Sequence, residues 1–437
     1  MIIVGSLELN KKTRYSYGSK FIPIHNDDRG KTYYVKTSNT SKISQWVSIQ
    51  CIKSFDDIVI GSLVTVFGPV HCIDSERKAF GYHYGVLPRK VPKSVLRLVK
   101  AYDGTIDCGG LIDECVTIDN TTTEDMDDGI YIKRIDSTYV LSVFITDVTS
   151  IVSYGSELFL DALQKVSTIY TPEKEYPIFP SKLSHNVMSL VPGEARKTIC
   201  VDIVYDDKYE KISTSLRYCV ARSRRKYSYE EFEIAKDSKS YWLRKQLTAI
   251  SGTADSHKQI EFCMLEYNKY IGGLAMETIY RVQGKDLAAE YILGSGGWHD
   301  GLGCTNYLHA TSPIRRITDL YVQYCLKGLV VGVTVDVGLV NEMSLLIKRF
   351  HNKSNLLDLI YRYKDDPIIV SVSYIERLDD KIKVEISLEP KPQRYILPAS
   401  DVPELSEDSN PITYRLWGVH QGGIGRLRLQ QIKKSDV

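Results

Sequence analysis

The chain has 437 residues, 43% of them apolar, and its 56 basic and 54 acidic side chains leave a net charge of only +2. This length and apolar fraction predict two or three domains with sizeable cores, whereas the near-neutral charge excludes a uniformly basic nucleic-acid coat. The nine cysteines show no C-x-x-C pair and no zinc-ligand spacing, which favours reduced thiols in an intracellular, cytoplasmic protein. No apolar run reaches membrane-spanning length, and the apolar start is too short for a secretory signal, so no membrane partner is expected.

The first part of the chain, residues 1–80, is predicted to form a small β-barrel. Short alternating strands such as 32–36 and 46–52 are separated by Gly, Asn and Asp. That pattern is typical of small all-β barrels. The following segment, 81–105, contains Pro88 and is interpreted as a linker.

Four aspartates are crowded into the next segment: Asp119, Asp125, Asp127 and Asp128. Carboxylates this close repel one another unless a cation or hydrogen-bond donors absorb the charge. Mg²⁺ is commonly held by one or two carboxylates while waters and substrate phosphates complete its octahedron. The cluster therefore indicates a metal site that handles phosphate.

Two simpler interpretations of this acidic segment compete with a metal site. It could be a solvated surface loop, or a calcium loop of the EF-hand type. The calcium pattern fails, because Gly129 at the sixth position would place Met126 at a ligand position. The flanking residues 130–135 and 139–145 alternate with period two around a turn at Asp136, which predicts a β-hairpin.

Three helices are predicted in the middle of the chain from apolar periodicity and capping residues. Ser156 is expected to cap the first, whose buried face would be Leu158, Ala162, Val166 and Ile169. The second would bury Ile260, Met264, Tyr267, Ile271 and Leu274. The third would begin with Ser312 as N-cap and Pro313 at the first helical position.

The end of the chain returns to a strand pattern. Residues 368–374 and 381–388 alternate on either side of a turn at Asp379 and Asp380. A second small β domain is therefore predicted from about residue 366.

The acidic segment resembles the catalytic loop of the ribonuclease II/R (RNB) family, an Asp-x5-Asp-x-Asp-Asp sequence that follows Thr-Ile. Further blocks of that family are matched in order and spacing from about residue 113 to about residue 330. They are 145–148, 155–156, 170–184, 189–194, 223–229, 260–268, 279–282 and 299–320. The segments 21–24, 34–37 and 61–68 resemble, more weakly, the cold-shock-type OB domain of exosome-type members.

This resemblance implies an α+β multidomain fold in which an RNB catalytic domain is flanked by OB-type β-barrels. The implied domains are a cold-shock-like OB domain over 1–80, the linker 81–105, the RNB domain over 106–365 and an S1-like OB domain over 366–437.

The resemblance also implies a monomeric, Mg²⁺-dependent hydrolytic 3′→5′ exoribonuclease that degrades single-stranded RNA to nucleoside 5′-monophosphates, with Mn²⁺ able to substitute. Asp119 and Asp128 would bind the metal, and Asp127 would complete the arrangement of metal and water. Asp125 would orient the 3′-terminal nucleotide. Arg315 would contact the phosphate and stabilise developing negative charge.

Tyr170 matches a family position whose ring stacks on terminal bases, although a core tyrosine is the competing interpretation. The chain departs from the family in segment 349–358, where a glutamate is usual and His351 or Lys353 falls instead. Two other functions stay open at this point: a catalytically silent RNA-binding protein with an RNB fold, and a nuclease directed at DNA. Only contacts to the 2′-hydroxyl would separate RNA from DNA.

Overall fold

The computed structural model describes residues 2–9, 17–24, 31–39, 41–101, 111–274, 276–285, 287–331, 335–388, 392–421 and 424–432. The chain forms two compact units, one combining Met1–Pro88 with Leu346–Val437 and the other comprising Arg89–Leu345. Within the described stretches, no helix is both long and apolar enough to cross a membrane.

Strands dominate the two ends of the chain, and strands and helices are mixed between them. The N-terminal part contains β1 (Ile2–Leu7), β2 (Ser19–Pro23), β3 (Thr32–Lys36), β4 (Gln45–Phe55), β5 (Ile58–Pro69), α1 (Ile73–His83) and α2 (Lys93–Ala101). The central part contains β6 (Ile112–Asp119), β7 (Asp128–Ile135), β8 (Thr138–Thr146), α3 (Glu157–Lys165), β9 (Ile169–Tyr170), β10 (Glu175–Tyr176), β11 (Ala195–Tyr205), β12 (Lys211–Ser228), α4 (Tyr229–Ile234), α5 (Ser238–Ser251), α6 (Ser256–Gly272), β13 (Thr278–Val282), β14 (Glu290–Gly294), β15 (Trp298–His299), β16 (Cys304–Thr305) and α7 (Ile317–Leu326). The C-terminal part contains α8 (Val337–Arg362), β17 (Ile368–Leu378), β18 (Lys381–Ile386), β19 (Gln393–Pro398), β20 (Ile412–Gln421) and β21 (Ile424–Gln431).

The N-terminal strands close into a barrel in the order β1-β2-β3-β5-β4. Leu7, Phe21, Val35 and Ile49 are buried and fill its core. Five strands closed in this way are the architecture of an OB-type domain. The predicted N-terminal barrel is thus confirmed, while its limits at 1–80 stay a prediction.

Two helices occupy part of the segment 81–105 that the sequence predicts as a linker. Helix α1 runs to His83, and α2 covers Lys93–Ala101 and buries Val95 and Val99. Residues 102–105 lie outside the described stretches.

The Arg89–Leu345 unit contains a second closed barrel, in the order β11-β12-β6-β7-β8. Strands β7 and β8 form the predicted hairpin, with Asp136 at positive φ (53°) in its turn. Strand β6 pairs with β7 only through Val116 and Ile130, and its end runs parallel to β12, with Asp119 opposite Ser228. The acidic segment therefore connects β6 to β7, and these two strands are held by their pairing with β12 and β8 respectively.

Two helix predictions need correction. Helix α3 is capped by Ser156 as predicted and buries Leu158 and Ala162, but it ends at Lys165 because Val166 adopts a positive φ of 62°. Ile169 therefore lies in β9 and not on the helix. Helix α6 buries Ile260, Tyr267 and Ile271 as predicted, whereas Met264 is half-buried and Leu274 lies beyond its end, 39% exposed.

The third predicted helix begins later than expected, at Ile317 instead of Pro313. Residue Arg316 has extended backbone angles and forms an antiparallel bridge with Ser167. The N–H of Ser312 is a donor to Asp319 Oδ1 at 2.8 Å, and the N-cap position of the helix is occupied by Arg316, not Ser312. A tertiary β contact thus overrides the local helix-start signal.

The C-terminal strands form a five-stranded sheet in the order β19-β18-β17-β20-β21. Strands β17 and β18 occupy the two predicted segments and turn at Asp379, which has a φ of 51°. Five strands are the number expected of an OB-type domain.

Buried polar contacts join the two chain segments of the Met1–Pro88 and Leu346–Val437 unit. Arg77 on α1 donates from Nε to Ser354 Oγ at 2.8 Å and from Nη2 to Asp358 Oδ1 at 2.5 Å. Glu76, fully buried, accepts hydrogen bonds from the N–H of Gly425 and from the Tyr361 hydroxyl. Charged groups are rarely buried this deeply unless they are paired.

We expect Asp358→Asn to lower the free energy of unfolding by about 1–3 kcal/mol, because the buried Arg77 guanidinium loses its charged partner. Urea denaturation followed by circular dichroism would measure this. The matched control is Lys383→Ala, which breaks an exposed pair with Glu376 and should cost no more than about 0.5 kcal/mol. Equal small effects of both variants would contradict the prediction.

Candidate active site

The four predicted aspartates are brought together at one end of the barrel. Asp119 is the last residue of β6 and Asp128 the first of β7, with Asp125 and Asp127 in the loop between them. Asp125 and Asp127 are only 4% and 3% exposed. The interpretation as a solvated acidic loop is therefore wrong, and the flanking strands also exclude an EF-hand.

Hydrogen bonds to neighbouring segments hold this acidic loop. The N–H of Met126 is a donor to Ser189 Oγ at 3.0 Å, and Ser189 Oγ donates to the Glu124 carbonyl at 2.8 Å. The carbonyl of Asp127 accepts from the N–H of Thr146 at 2.9 Å. These hydrogen bonds fix the loop through its backbone, and none of them uses an aspartate side chain.

Lys226 reaches into the same loop from β12. Its Nζ donates to the carbonyl oxygens of Thr121 at 2.9 Å and Thr123 at 2.5 Å. The parallel pairing of β12 with β6 sets Lys226 opposite Thr117, two positions before Asp119. The sequence alone does not predict this contact of Lys226, because a pairing between strands so far apart in the chain leaves no local signal.

Burial and mutual repulsion raise the pKa values of Asp119, Asp127 and Asp128. Desolvation is the main cause for Asp119, whose pKa rises to about 6 although Lys226 and Arg315 lower it. Desolvation and the charge of Asp119 raise the pKa of Asp128 to about 8. The pKa of Asp127 lies well above its usual range, chiefly because it is buried.

Arg315 lies beside Asp127. The guanidinium Nε is 3.5 Å from Asp127 Oδ2, and the side chain is 42% exposed. The N–H of the preceding residue, Ile314, donates to Asp127 Oδ1 at 2.8 Å. The Arg315 carbonyl accepts from the N–H of Thr168, so its backbone is anchored while the guanidinium can still reach a ligand.

Tyr170 contacts the acidic loop from β9. Its hydroxyl donates a hydrogen bond to Asp125 Oδ2. Burial and the charge of Asp125 raise the pKa of the Tyr170 hydroxyl. The side chain is nevertheless 42% exposed, which argues against the interpretation as a core tyrosine.

A second tyrosine belongs to the site but was not selected from the sequence. Tyr229 begins α4, directly after Ser228, which pairs with Asp119. Burial, then the charges of Asp119 and Asp128, raise the pKa of Tyr229 to about 12. Its ring stacks on His257 with centroids 3.6 Å apart. Tyr229 falls in the RNB-like block 223–229, and only the fold shows how near it lies to the carboxylates.

Comparisons with known proteins show the family of this chain. The family model described as the RNB domain matches residues 111–261 and 242–332, about half of the chain. The chain belongs to the RNB-domain family. The predicted resemblance is thereby confirmed, and the aspartates, Arg315 and Tyr170 all lie inside the matched RNB region.

Curated relatives match part of the RNB region. Ribonuclease R of Mycoplasmopsis pulmonis is 34% identical over 116 residues, which is 26% of this chain and 16% of that protein. Exoribonuclease 2 of Aeromonas hydrophila is 41% identical over 88 residues, 20% of this chain and 13% of that protein. The matched segments thus span less than a fifth of these relatives.

Solved structures share the fold over almost the whole chain. Mycoplasma genitalium RNase R in complex with double-stranded RNA has a TM-score of 0.79 at 17% identity, covering 99% of this chain and 95% of that one. Yeast Ssd1, described as a pseudonuclease, has a TM-score of 0.63 at 14% identity, covering 96% of this chain and 68% of that one. The predicted fold class is confirmed.

The chemistry of the RNB carboxylates suits a hard divalent cation. Asp119 Oδ2 and Asp127 Oδ2 are buried and accept no hydrogen bond from the part of the chain that the structure describes. In the described stretches, no three His, Cys, Asp or Glu side chains converge as a complete metal-binding set. Mg²⁺ commonly takes one or two carboxylates from a protein and completes its shell with waters and substrate phosphates.

The segment that lacks the usual glutamate packs within the other unit. Lys353 Nζ lies 4.4 Å from the ring centroid of Phe80, and Ser354 and Asp358 bind Arg77. Lys353 is mostly buried, and desolvation lowers its pKa. These contacts give Lys353 a packing role.

We expect a divalent cation to stabilise the protein more at high pH than at low pH. Because the pKa values of Asp119 and Asp128 are raised, the metal-free fold loses stability as the pH rises from about 4, the usual carboxyl pKa, through about 6 for Asp119 and about 8 for Asp128, above which both groups are ionised. The ionised carboxylates then bind the cation, which offsets that loss. The Mg²⁺-induced rise in melting temperature should be larger near pH 8.5 than near pH 6. The double variant Asp119→Asn/Asp128→Asn is the control and should show no such rise; equal rises at both pH values in the parent would contradict the prediction.

Proposed function

We propose that the protein is a Mg²⁺-dependent hydrolytic 3′→5′ exoribonuclease that releases nucleoside 5′-monophosphates from single-stranded RNA. The observation that carries the proposal is a set of buried and half-buried aspartates, two of which have a side-chain oxygen that accepts no hydrogen bond from the described residues, beside a partly exposed arginine. Asp127 Oδ2 accepts no hydrogen bond and has Arg315 Nε 3.5 Å away. Negative charge of this kind destabilises the fold unless a cation offsets it.

The acidic side chains hold the metal in this proposal. Asp119 and Asp128 are its ligands, and Asp127 completes the arrangement of metal and water. Bound Mg²⁺ would neutralise phosphate charge and lower the pKa of a bound water molecule, so that a nucleophilic hydroxide can form near neutral pH. Mn²⁺ has similar oxygen preference and should substitute.

Arg315 contacts the scissile phosphate. Its anchored backbone and partly exposed side chain suit a planar guanidinium that meets two phosphate oxygens as charge develops on them. Tyr170 offers its exposed ring to the terminal bases, and Asp125 orients the 3′-terminal nucleotide.

The alternative is an RNA-binding protein of the same fold without turnover. This alternative is considered because Ssd1, described as a pseudonuclease, shares the fold. The present chain retains the full aspartate set and Arg315, and its aspartates are costly to bury. A protein that only bound RNA would gain nothing from that cost, which favours the catalytic proposal.

Hydrolysis of end-labelled RNA tests the proposal directly. Purified protein is incubated with 5′-labelled RNA and DNA of the same sequence, with EDTA, Mg²⁺ or Mn²⁺. We expect stepwise shortening of the RNA from the 3′ end and nucleoside 5′-monophosphates, in the presence of metal. RNA that is bound but uncut in Mg²⁺ and Mn²⁺ would support the silent alternative, and equal shortening of DNA would extend the substrate to both sugars. The monomeric state and intracellular location stay predictions.

Asp127→Asn should reduce hydrolysis by at least about 100-fold, because it removes the buried charge at the centre of the site. Its RNA affinity should stay within about twofold of the parent, since no phosphate contact is lost. Gel assays and fluorescence anisotropy measure the two effects. The matched control is Asp207→Asn, an exposed residue in the turn between β11 and β12, which should leave both unchanged. Full turnover by Asp127→Asn would contradict the metal-site assignment.

Arg315→Lys separates geometry from charge. Lysine keeps the positive charge but loses the planar fork, so the rate should still fall by roughly 10- to 100-fold. Single-turnover kinetics on a labelled RNA would measure it, with the surface change Arg134→Lys as control. A near-parental rate for Arg315→Lys would mean that the residue acts only as a point charge.

A further inference from the structure

A histidine outside the predicted site touches two glutamates that flank it. His185 lies in a short helical turn, Leu183–Val187, and its side chain is 19% exposed. Its Nδ1 is 2.8 Å from Glu124 Oε2, and its Nε2 is 3.2 Å from Glu175 Oε1. An imidazolium has an N–H at each nitrogen and can serve both carboxylates at once.

These two glutamates belong to two different elements, the acidic loop and the β9–β10 hairpin. Glu124 directly precedes Asp125 in the acidic loop. Glu175 is the cross-strand partner of Tyr170 in the β9–β10 pair. His185 therefore spans the acidic loop and the hairpin at the place where the Tyr170 hydroxyl meets Asp125.

The carboxylates near Tyr170 repel one another, and His185 lies between two of them. Three carboxylates lie close enough to interact here: Asp125 accepts from the Tyr170 hydroxyl, and the charges of Asp125 and Glu124 both act on Glu175. Burial raises the pKa of Glu175, the charges of Asp125 and Glu124 raise it further, and His185 counteracts them. Without His185, repulsion would drive the hairpin and the acidic loop apart.

The contact is placed too near the surface to matter much for the fold as a whole. Glu124 is 67% exposed, and ion pairs with an exposed partner contribute little to global stability. Any effect of His185 should therefore be local to the hairpin that carries Tyr170.

We propose that His185 is a positioning residue for the 3′-terminal nucleotides of RNA: it holds the β9–β10 hairpin against the acidic loop and so fixes the Tyr170 ring for stacking. The proposal rests on the proposed function, because that function places the end of an RNA strand beside Tyr170. It assigns His185, Glu124 and Glu175 to substrate positioning and gives them no part in metal binding.

Binding of short and long RNA separates positioning from general structure. A single-stranded RNA of about five nucleotides is held mainly near its 3′ end, whereas one of about thirty also contacts outer surfaces. In EDTA, His185→Ala should weaken the short RNA by roughly 3- to 10-fold and change the long RNA by less than about twofold. With Mg²⁺, KM for the short RNA should rise while kcat on saturating long RNA stays unchanged.

A double-mutant cycle tests whether His185 acts through Tyr170. Tyr170→Ala should weaken short RNA, and adding His185→Ala should weaken it no further, because the ring to be positioned is gone. Glu175→Gln keeps the shape of its side chain and should reproduce part of the His185→Ala effect, so the test does not depend on one variant folding. The matched control is Lys211→Ala, which removes the 2.7 Å ion pair with Glu266 in the same unit and should change nothing.

Three results would overturn the proposal. They are unchanged short-RNA affinity in His185→Ala, equal losses for short and long RNA, and additive effects of His185→Ala and Tyr170→Ala. Binding is measured without hydrolysis, so the two proposals fail separately. A parent that binds RNA without cutting it would contradict the proposed function and leave the cycle interpretable.

Discussion

Buried negative charge is the constraint around which the Arg89–Leu345 unit is arranged. Asp125 and Asp127 are almost inaccessible, and the pKa values of Asp119, Asp127 and Asp128 are all raised. Lys226, Arg315 and the Ile314 N–H offset part of this charge from inside the protein. The raised pKa values show that the offset is incomplete, which leaves a site disposed to take up a cation.

Backbone pairing gives this constraint its geometry. The parallel pairing of β6 with β12 fixes Asp119 opposite Ser228. The antiparallel pairing of β7 with β8 fixes Asp128 opposite Ile145. On the other side, the bridge between Arg316 and Ser167 fixes the segment that presents Arg315. Because each charged group sits next to a paired backbone, the side chains can face one another at close range without relying on flexible loops. Preorganisation of this kind is what electrostatic stabilisation of a reacting phosphate requires.

The comparisons separate fold from site. The RNB family model covers residues 111–332, whereas the likeness to solved structures extends over 99% of the chain at 17% identity. Proteins described as RNase R and as a pseudonuclease share this fold, so the fold alone does not decide activity. In the proposed function, activity depends on side chains: the four aspartates, Arg315 and the tyrosines that border them.

The sequence by itself determined the family and the two strand-rich ends, and it singled out the candidate site residues. These features are carried by short motifs and by local periodicity, and the β7–β8 hairpin and the Asp379 turn follow their local pattern. Only the tertiary structure decided the start of α7, because a β-bridge with Ser167 overrides the Ser-Pro helix signal. It alone also brought Lys226 and Tyr229 near the aspartates and His185 to Glu124 and Glu175, since contacts between distant segments depend on strand pairing and burial, which no local pattern encodes.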